Sequence, residues 1–129
     1  MRLLDSDHCV AALRGTLNIS KFVQPNEVLA VSSITVAELM HGAYRSQRRD
    51  ENLAKINFFL NVFQILNFEY QSASIFGRLK AELEAGGQKI ADLDLQIASI
   101  ALVNQCLLVT HNSRHFQRVP NLELEDWLN

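Results

Sequence analysis

Cysteine, proline and glycine are all sparse in this chain of 129 residues, which has two, two and five of them respectively. Cys9 and Cys106 lie far apart, and neither belongs to a C-x-x-C pair. That pattern predicts reduced, mostly buried thiols in a cytosolic protein rather than a disulfide framework. With so few chain breakers there is no linker, low-complexity segment or internal repeat, so a single domain over residues 1–129 is expected. A chain of this length buries about two-thirds of the surface it exposes when unfolded, enough for a core without staples. Long apolar runs are missing near the N-terminus, where MRLLDSDHCV has one Arg and a short apolar stretch broken by Asp5 and Asp7. It reads as neither signal peptide nor membrane span, and a cytoplasmic location without membrane contact is expected. An excess of positive charge is missing too. Twelve Lys and Arg against 14 Asp and Glu give a net charge of −2, which argues against a binder whose whole surface is basic.

What is present is an apolar fraction of 48% organised in periodic stretches. The most informative is IADLDLQIASIALVNQC. If a helix starts near Asp92, then Asp94, Ile97, Ala98, Ala101 and Leu102 recur at the spacing of one buried face. A carboxylate then heads an apolar stripe, and a buried charge must be neutralised, paired or bound to a metal. The competing reading keeps Asp92 as an N-cap and Asp94 as a first-turn residue favoured by the helix dipole. This stretch alone leaves both open.

Taken in order, Arg2-Leu3-Leu4 reads as a buried strand with Asp5 at its carboxyl end, where α/β folds place their sites. A helix through Val10 to Leu13 follows and Gly15 ends it. Residues 19–23 read as a short helix before the Pro25-Asn26 turn, and residues 27–32 as a second strand. Thr35 begins a helix whose stripe is Val36, Leu39, Met40, Ala43 and Tyr44. Glu38 lies off that stripe, beside His41, Gly42 and Arg45, although Thr35-x-x-Glu38 also matches a capping box. Residues 51–63 read as another helix, with Leu53, Ile56, Leu60 and Phe63 inward, forming a hairpin with the preceding one. Residues 64–68 are a candidate strand. A helix from Tyr70 to Ala85 is ended by Gly86-Gly87. After the Asp92 helix, residues 106–110 form an almost wholly apolar central strand, and residues 122–125 an edge strand. This alternation predicts an α/β sandwich built on right-handed βαβ units.

The acids carry the functional signal. Asp5, Glu38, Asp94 and the polar Asn112 all fall near strand carboxyl ends, so a parallel sheet brings them to one edge. Three carboxylates in one place repel unless a divalent cation holds them. Oxygen donors with no Cys or His pair nearby suit Mg²⁺ or Mn²⁺ rather than zinc. Two basic clusters, Arg45 with Arg48 and Arg49, and Arg114 with His115 and Arg118, flank these positions. Each reads either as a solvated face or, through Arg45 and Arg114, as phosphate contacts.

Four segments in order, LLDSD, SSITVAEL (32–39), DLDLQIAS (92–99) and VTHNSRHFQRVPNLELEDW (109–127), resemble PIN-domain ribonucleases of the VapC toxin type. The resemblance implies a PIN-like three-layer sandwich with a central, mostly parallel sheet of four to five strands flanked by helices. It implies a Mg²⁺-dependent endoribonuclease acting on structured RNA, often tRNA, usually homodimeric and silenced by a cognate antitoxin. Its site positions fall at Asp5, Glu38 and Asp94, the metal ligands, with a fourth at Asn112. Two departures stand out: Ser6-Asp7 replaces the usual T-N pair, and the fourth position is an amide. Asp7 and Asp92 are the acids that could substitute. A strand continuing past Asp5 would point Asp7 to the same side, whereas a helix starting there would turn it away, and Asp92 is expected to cap its helix. Two other readings fit parts of the pattern. Asp5-Ser6-Asp7 matches the D-x-D of phosphotransferases that form an aspartyl phosphate, and a silent PIN-like binding module would keep the fold without the reaction.

Overall fold

The computed structural model describes residues 1–128. Five strands form one sheet in the order β3-β2-β1-β4-β5, and every neighbouring pair is parallel. The chain runs β1 (Arg2–Leu4), α1 (Ser6–Leu13), a 3-10 turn (Ile19–Lys21), β2 (Leu29–Ser32), α2 (Ser33–Arg45), α3 (Arg49–Leu60) and β3 (Phe63–Leu66). It continues with α4 (Tyr70–Ala85), α5 (Asp92–Val103), β4 (Leu107–Val109), α6 (Ser113–Phe116) and β5 (Leu124–Glu125).

Successive strand residues point to opposite faces, and β1 feeds two cores in this way. Leu3 packs with Ala30, Leu79, Ile97, Ile100 and Leu108 on the face covered by α4 and α5. Leu4 packs with Val31, Leu39, Ile56, Val109 and Trp127 on the face covered by α1, α2 and α3. The molecule is therefore the three-layer α/β sandwich the sequence predicts. Because β2 and β4 flank β1 on opposite sides, the strand order reverses at β1 while every strand stays parallel. A crevice opens there beyond the strand carboxyl ends, the place where such folds bind ligands. No helix among the described residues is long and apolar enough to cross a membrane.

Several boundaries differ from the sequence reading. β2 begins at Leu29 because Glu27 turns aside to pair with Arg2. Phe63 is the first residue of β3, opposite Leu29, and not the end of α3. The spacing of Leu60 and Phe63 suits a helix and a helix-to-strand junction equally, so periodicity could not separate them. Tyr44 is exposed rather than inward, with the Arg49 guanidinium 5.8 Å from its ring. α2 starts two residues early. Its cap is Ser32, whose Oγ accepts from the Thr35 N–H at 3.0 Å, while Thr35 is fully buried. Glu38 is thus no capping-box partner but a second-turn residue. Asp92 does not cap α5 either. Ala91 holds the cap position, and Asp92 is exposed with one oxygen 3.0 Å from Lys80 Nζ.

Candidate active site

Asp5 is where β1 ends and α1 begins. Its N–H donates to Val109 O at 2.9 Å, extending the β1–β4 pairing by one residue, and its side chain then caps α1. Oδ1 accepts from the Ser6 N–H at 2.8 Å and Oδ2 accepts from the Thr110 hydroxyl at 2.8 Å. Only 5% of Asp5 is exposed. Burial above all, then the charge of Asp7, pushes its carboxyl up to about 6, against the two hydrogen bonds that favour the ionised form.

Glu38 reaches the same crevice from α2 and Asp94 from the first turn of α5, both half-buried. Burial raises the Glu38 carboxyl first, followed by the charges of Asp5, Asp94 and Asp7. For Asp94, burial again leads and Asp7 adds to it, while His115 opposes the shift. The three predicted acids therefore share one electrostatic field. Asn112 joins them through Asp94, donating from Nδ2 to Oδ2 at 3.3 Å, and its own N–H donates to Thr110 Oγ1 at 3.0 Å.

Thr110 ties the site together. It is fully buried, donates to Asp5 and accepts from Asn112. Its single hydroxyl proton serves the 2.8 Å contact with Asp5, which leaves the 3.5 Å approach to Asp7 as proximity. Asp7 is not turned away by the start of α1. Its Oδ2 accepts from the His111 N–H at 3.0 Å and its Oδ1 lies 2.7 Å from His8 Nδ1, so it stands beside Asp5 as a fourth acid. Asp92 faces Lys80 and takes no part.

Arg45 and Arg114 are both exposed. Arg45 occupies the last turn of α2, two turns beyond Glu38 rather than one, or about 10 Å along the axis. Arg114 lies on α6, next to Asn112 and His115. Among the described residues neither pairs with Asp5, Glu38 or Asp94. A groove of about 720 Å³ leads away from Glu38 and Ser6 between α1, α2 and α3, with Val10, Leu39, Ala43 and Ile56 among its lining.

The donor set is carboxylate and amide oxygen throughout, and the mutual repulsion recorded in the raised carboxyls is what a hard divalent cation relieves. The chemistry thus fits Mg²⁺ or Mn²⁺. The acids do not form a ready-made cage: among the described residues no three His, Cys, Asp or Glu side chains converge closely enough to hold an ion. Of the residues coupled in this crevice, the sequence reading named Asp5, Glu38, Asp94 and Asn112. Thr110 was missed, although a hydroxyl closing an apolar strand was the available signal. His8 and Trp127 carried no pattern that could reveal them.

A PIN domain family model matches residues 2–122. The chain is 36% identical over 129 residues to ribonuclease VapC2 of Rickettsia felis, covering 97% of this chain and 96% of the relative. It is 32% identical over 132 residues to the tRNA(fMet)-specific endonuclease VapC of Shigella flexneri, covering 97% and 96%. Among solved structures, VapBC2 of Rickettsia felis bound to a promoter DNA fragment superposes with a TM-score of 0.90 at 35% identity, covering 98% of each chain. DNA-bound VapBC of Salmonella typhimurium gives 0.91 at 30%, covering 98% of this chain and 97% of that one. By fold, by the order of its site residues and by these likenesses, the chain belongs to the PIN-domain family, among its VapC-type members.

Proposed function

We propose that this protein is a metal-dependent endoribonuclease and the toxin half of a toxin–antitoxin pair. The observation that carries the reading is the meeting of Asp5, Glu38 and Asp94, each with its carboxyl raised, at the switch point of a parallel sheet. Support comes from relatives named as VapC ribonucleases and from neighbours solved as VapBC complexes.

Asp5, Asp94 and Glu38 would hold Mg²⁺ or Mn²⁺, which supplies Lewis-acid activation of a phosphodiester and of a water molecule when bound. The protein's own residues do the rest. Thr110 fixes one Asp5 oxygen, and Asn112 orients Asp94 while its carbonyl can accept from a positioned water molecule. Arg45 and Arg114, exposed on the helices next to the acids, offset the repulsion an RNA backbone meets there and fix its register without reading sequence. The substrate class is structured RNA such as tRNA, by likeness to the tRNA(fMet)-specific relative.

The partner is a cognate antitoxin. Three acids are a target for an arginine, which can bridge carboxylates bidentately, and the groove beside Glu38, where Val10, Leu39 and Ile56 alternate with Arg14, Asn52 and Lys55, suits an amphipathic segment that delivers it. The chain acts in the cytoplasm as a homodimer. Phe58 and Val62, 81% and 79% exposed, are apolar surface suited to protein contacts. Sequencing RNA ends after induced expression, together with cleavage by purified protein with and without Mg²⁺, tests the reading. Discrete new ends in cells and cleavage abolished by chelation are expected. Unchanged growth and RNA when the chain is expressed without a partner would transfer support to a silent binding module.

A further inference from the structure

Asp7 and His8 form a pair that the proposed reaction does not yet use. His8 is fully buried. Its Nε2 lies 3.0 Å from the Trp127 N–H, a group that can only donate, so Nε2 must accept. The proton of the neutral ring is then on Nδ1, which donates to Asp7 Oδ1 at 2.7 Å. Asp126 Oδ1 also lies 3.5 Å from Nε2, but it already accepts from the Leu128 N–H at 2.8 Å, and the other Asp126 oxygen is 2.9 Å from His111 Nδ1. The ring plane is fixed by edge-to-face packing on Trp127, with centroids 5.9 Å apart, and Phe22 stacks on the far side of the indole at 5.1 Å. With Oδ1 taken by His8 and Oδ2 by the His111 N–H, the Asp7 carboxylate has one orientation, beside Asp5.

We propose that Asp7 is the fourth acid of this centre in place of the neutral Asn112, and that His8, locked as its Nδ1–H tautomer by Trp127, is the positioning residue that aims it. The charge of Asp7 acts on Asp5, Glu38 and Asp94 alike, as a member of the centre should. The segment after β5 thereby gains a direct route to the site, through the Trp127 backbone and one imidazole. This inference rests on the metal-dependent reading above and extends it to a residue outside the predicted ligand set.

Two substitutions separate the halves of the imidazole. His8→Asn keeps a donor near the Nδ1 position and loses the acceptor for Trp127, whereas His8→Gln keeps that acceptor and loses the donor to Asp7. Calorimetric titration of Mn²⁺ into RNA-free protein should give His8→Asn an affinity close to wild type. For His8→Gln and Asp7→Asn it should be weaker by about tenfold or more, the usual consequence of removing an outer-shell partner or ligand. The double variant should be no worse than either single. Long-range ¹H–¹⁵N correlation spectra of the metal-free wild type should show His8 protonated on Nδ1, a readout that stands even if a variant fails to fold. Protonation on Nε2, equal Mn²⁺ affinity in the two His8 variants, or no Mn²⁺ binding by the wild type would overturn the assignment. Absence of RNA cleavage by a wild type that shows the Mn²⁺ difference would reject the nuclease reading and leave the pair standing.

Discussion

At the scale of single residues, the site works against the stability of the fold. Asp5 carries a carboxyl raised from 3.8 to about 6. A group raised in the native state stabilises fully below its unfolded value, and that contribution is lost as pH rises through the folded value, here between about 4 and 6. Above that window the ionised Asp5 costs the fold about 3 kcal/mol, at roughly 1.4 kcal/mol per unit. Asp5→Asn keeps an acceptor for the Ser6 N–H and removes the charge. Its melting temperature at pH 7.5 without metal should therefore exceed that of the wild type by several degrees, with the gap closing as pH falls towards 4. Equal melting temperatures at pH 7.5 would refute the burial argument. Asp94→Asn is nearly isosteric and relieves the same crowding, so it should abolish cleavage while leaving the fold intact or more stable; wild-type cleavage by that variant would remove Asp94 from the site. Asn112→Ala should cost less activity than Asp5→Ala, since Asn112 acts by orienting Asp94. Asp94 drew notice in the sequence because it heads an apolar stripe, and Asp5 and Glu38 because they fall near strand carboxyl ends; the combination, more than any one of them, carried the signal. His8 could not be found, because it is fixed by Trp127, 119 residues away, and Thr110 offered only its hydroxyl at the end of an apolar strand, its partner Asp5 lying 105 residues away.

Among the elements, what the sequence made visible was what local chemistry decides. The helix Tyr70–Ala85 was legible to the residue because two glycines end it and its stripe is regular, and β1 because Leu3 and Leu4 run into an acid. Boundaries set by tertiary pairing were not. Phe63 changes from helix to strand because Leu29 lies opposite it. The start of α2 was misread because two capping signals overlap, Ser32 with Thr35 and Thr35 with Glu38, and only burial of Thr35 selects the first. That choice has a consequence for α2. Ser32 is fully buried and caps the helix that delivers Glu38. Ser32→Ala should lower stability by about 1 kcal/mol, the usual cost of a lost cap. It should also reduce kcat less than Glu38→Gln does, because the helix remains in place on Leu39 and Ala43. A denaturant melt and single-turnover kinetics give the two numbers; a stability unchanged by the substitution would show that the cap contributes nothing.

For the whole molecule, a net charge of −2 and a crevice lined with acids must be reconciled with a polyanionic substrate. The fold separates the two signs. Asp5, Asp7, Glu38 and Asp94 are drawn into the crevice at the switch point, whereas Arg45 and Arg114 stand exposed on α2 and α6. Long-range steering by the net charge is therefore absent, and the proposed reading has RNA held by few phosphate contacts next to the site. Binding by counterion release loses affinity with salt at a log–log slope close to the number of phosphates neutralised, about 0.7 to 0.9 each. A protein that uses two arginines should accordingly show a shallow slope of about 2, far from that of a protein whose whole surface is basic. Arg45→Ala and Arg114→Ala should each reduce that slope by about 1 and weaken binding evenly across RNA sequences, as phosphate contacts do. The measurement is RNA binding by fluorescence anisotropy over a salt series, made in the Asp94→Asn background so that the substrate survives. A slope unchanged by either substitution would assign that arginine to the solvated surface, and a steep slope retained in the double variant would move the RNA to another face of the molecule.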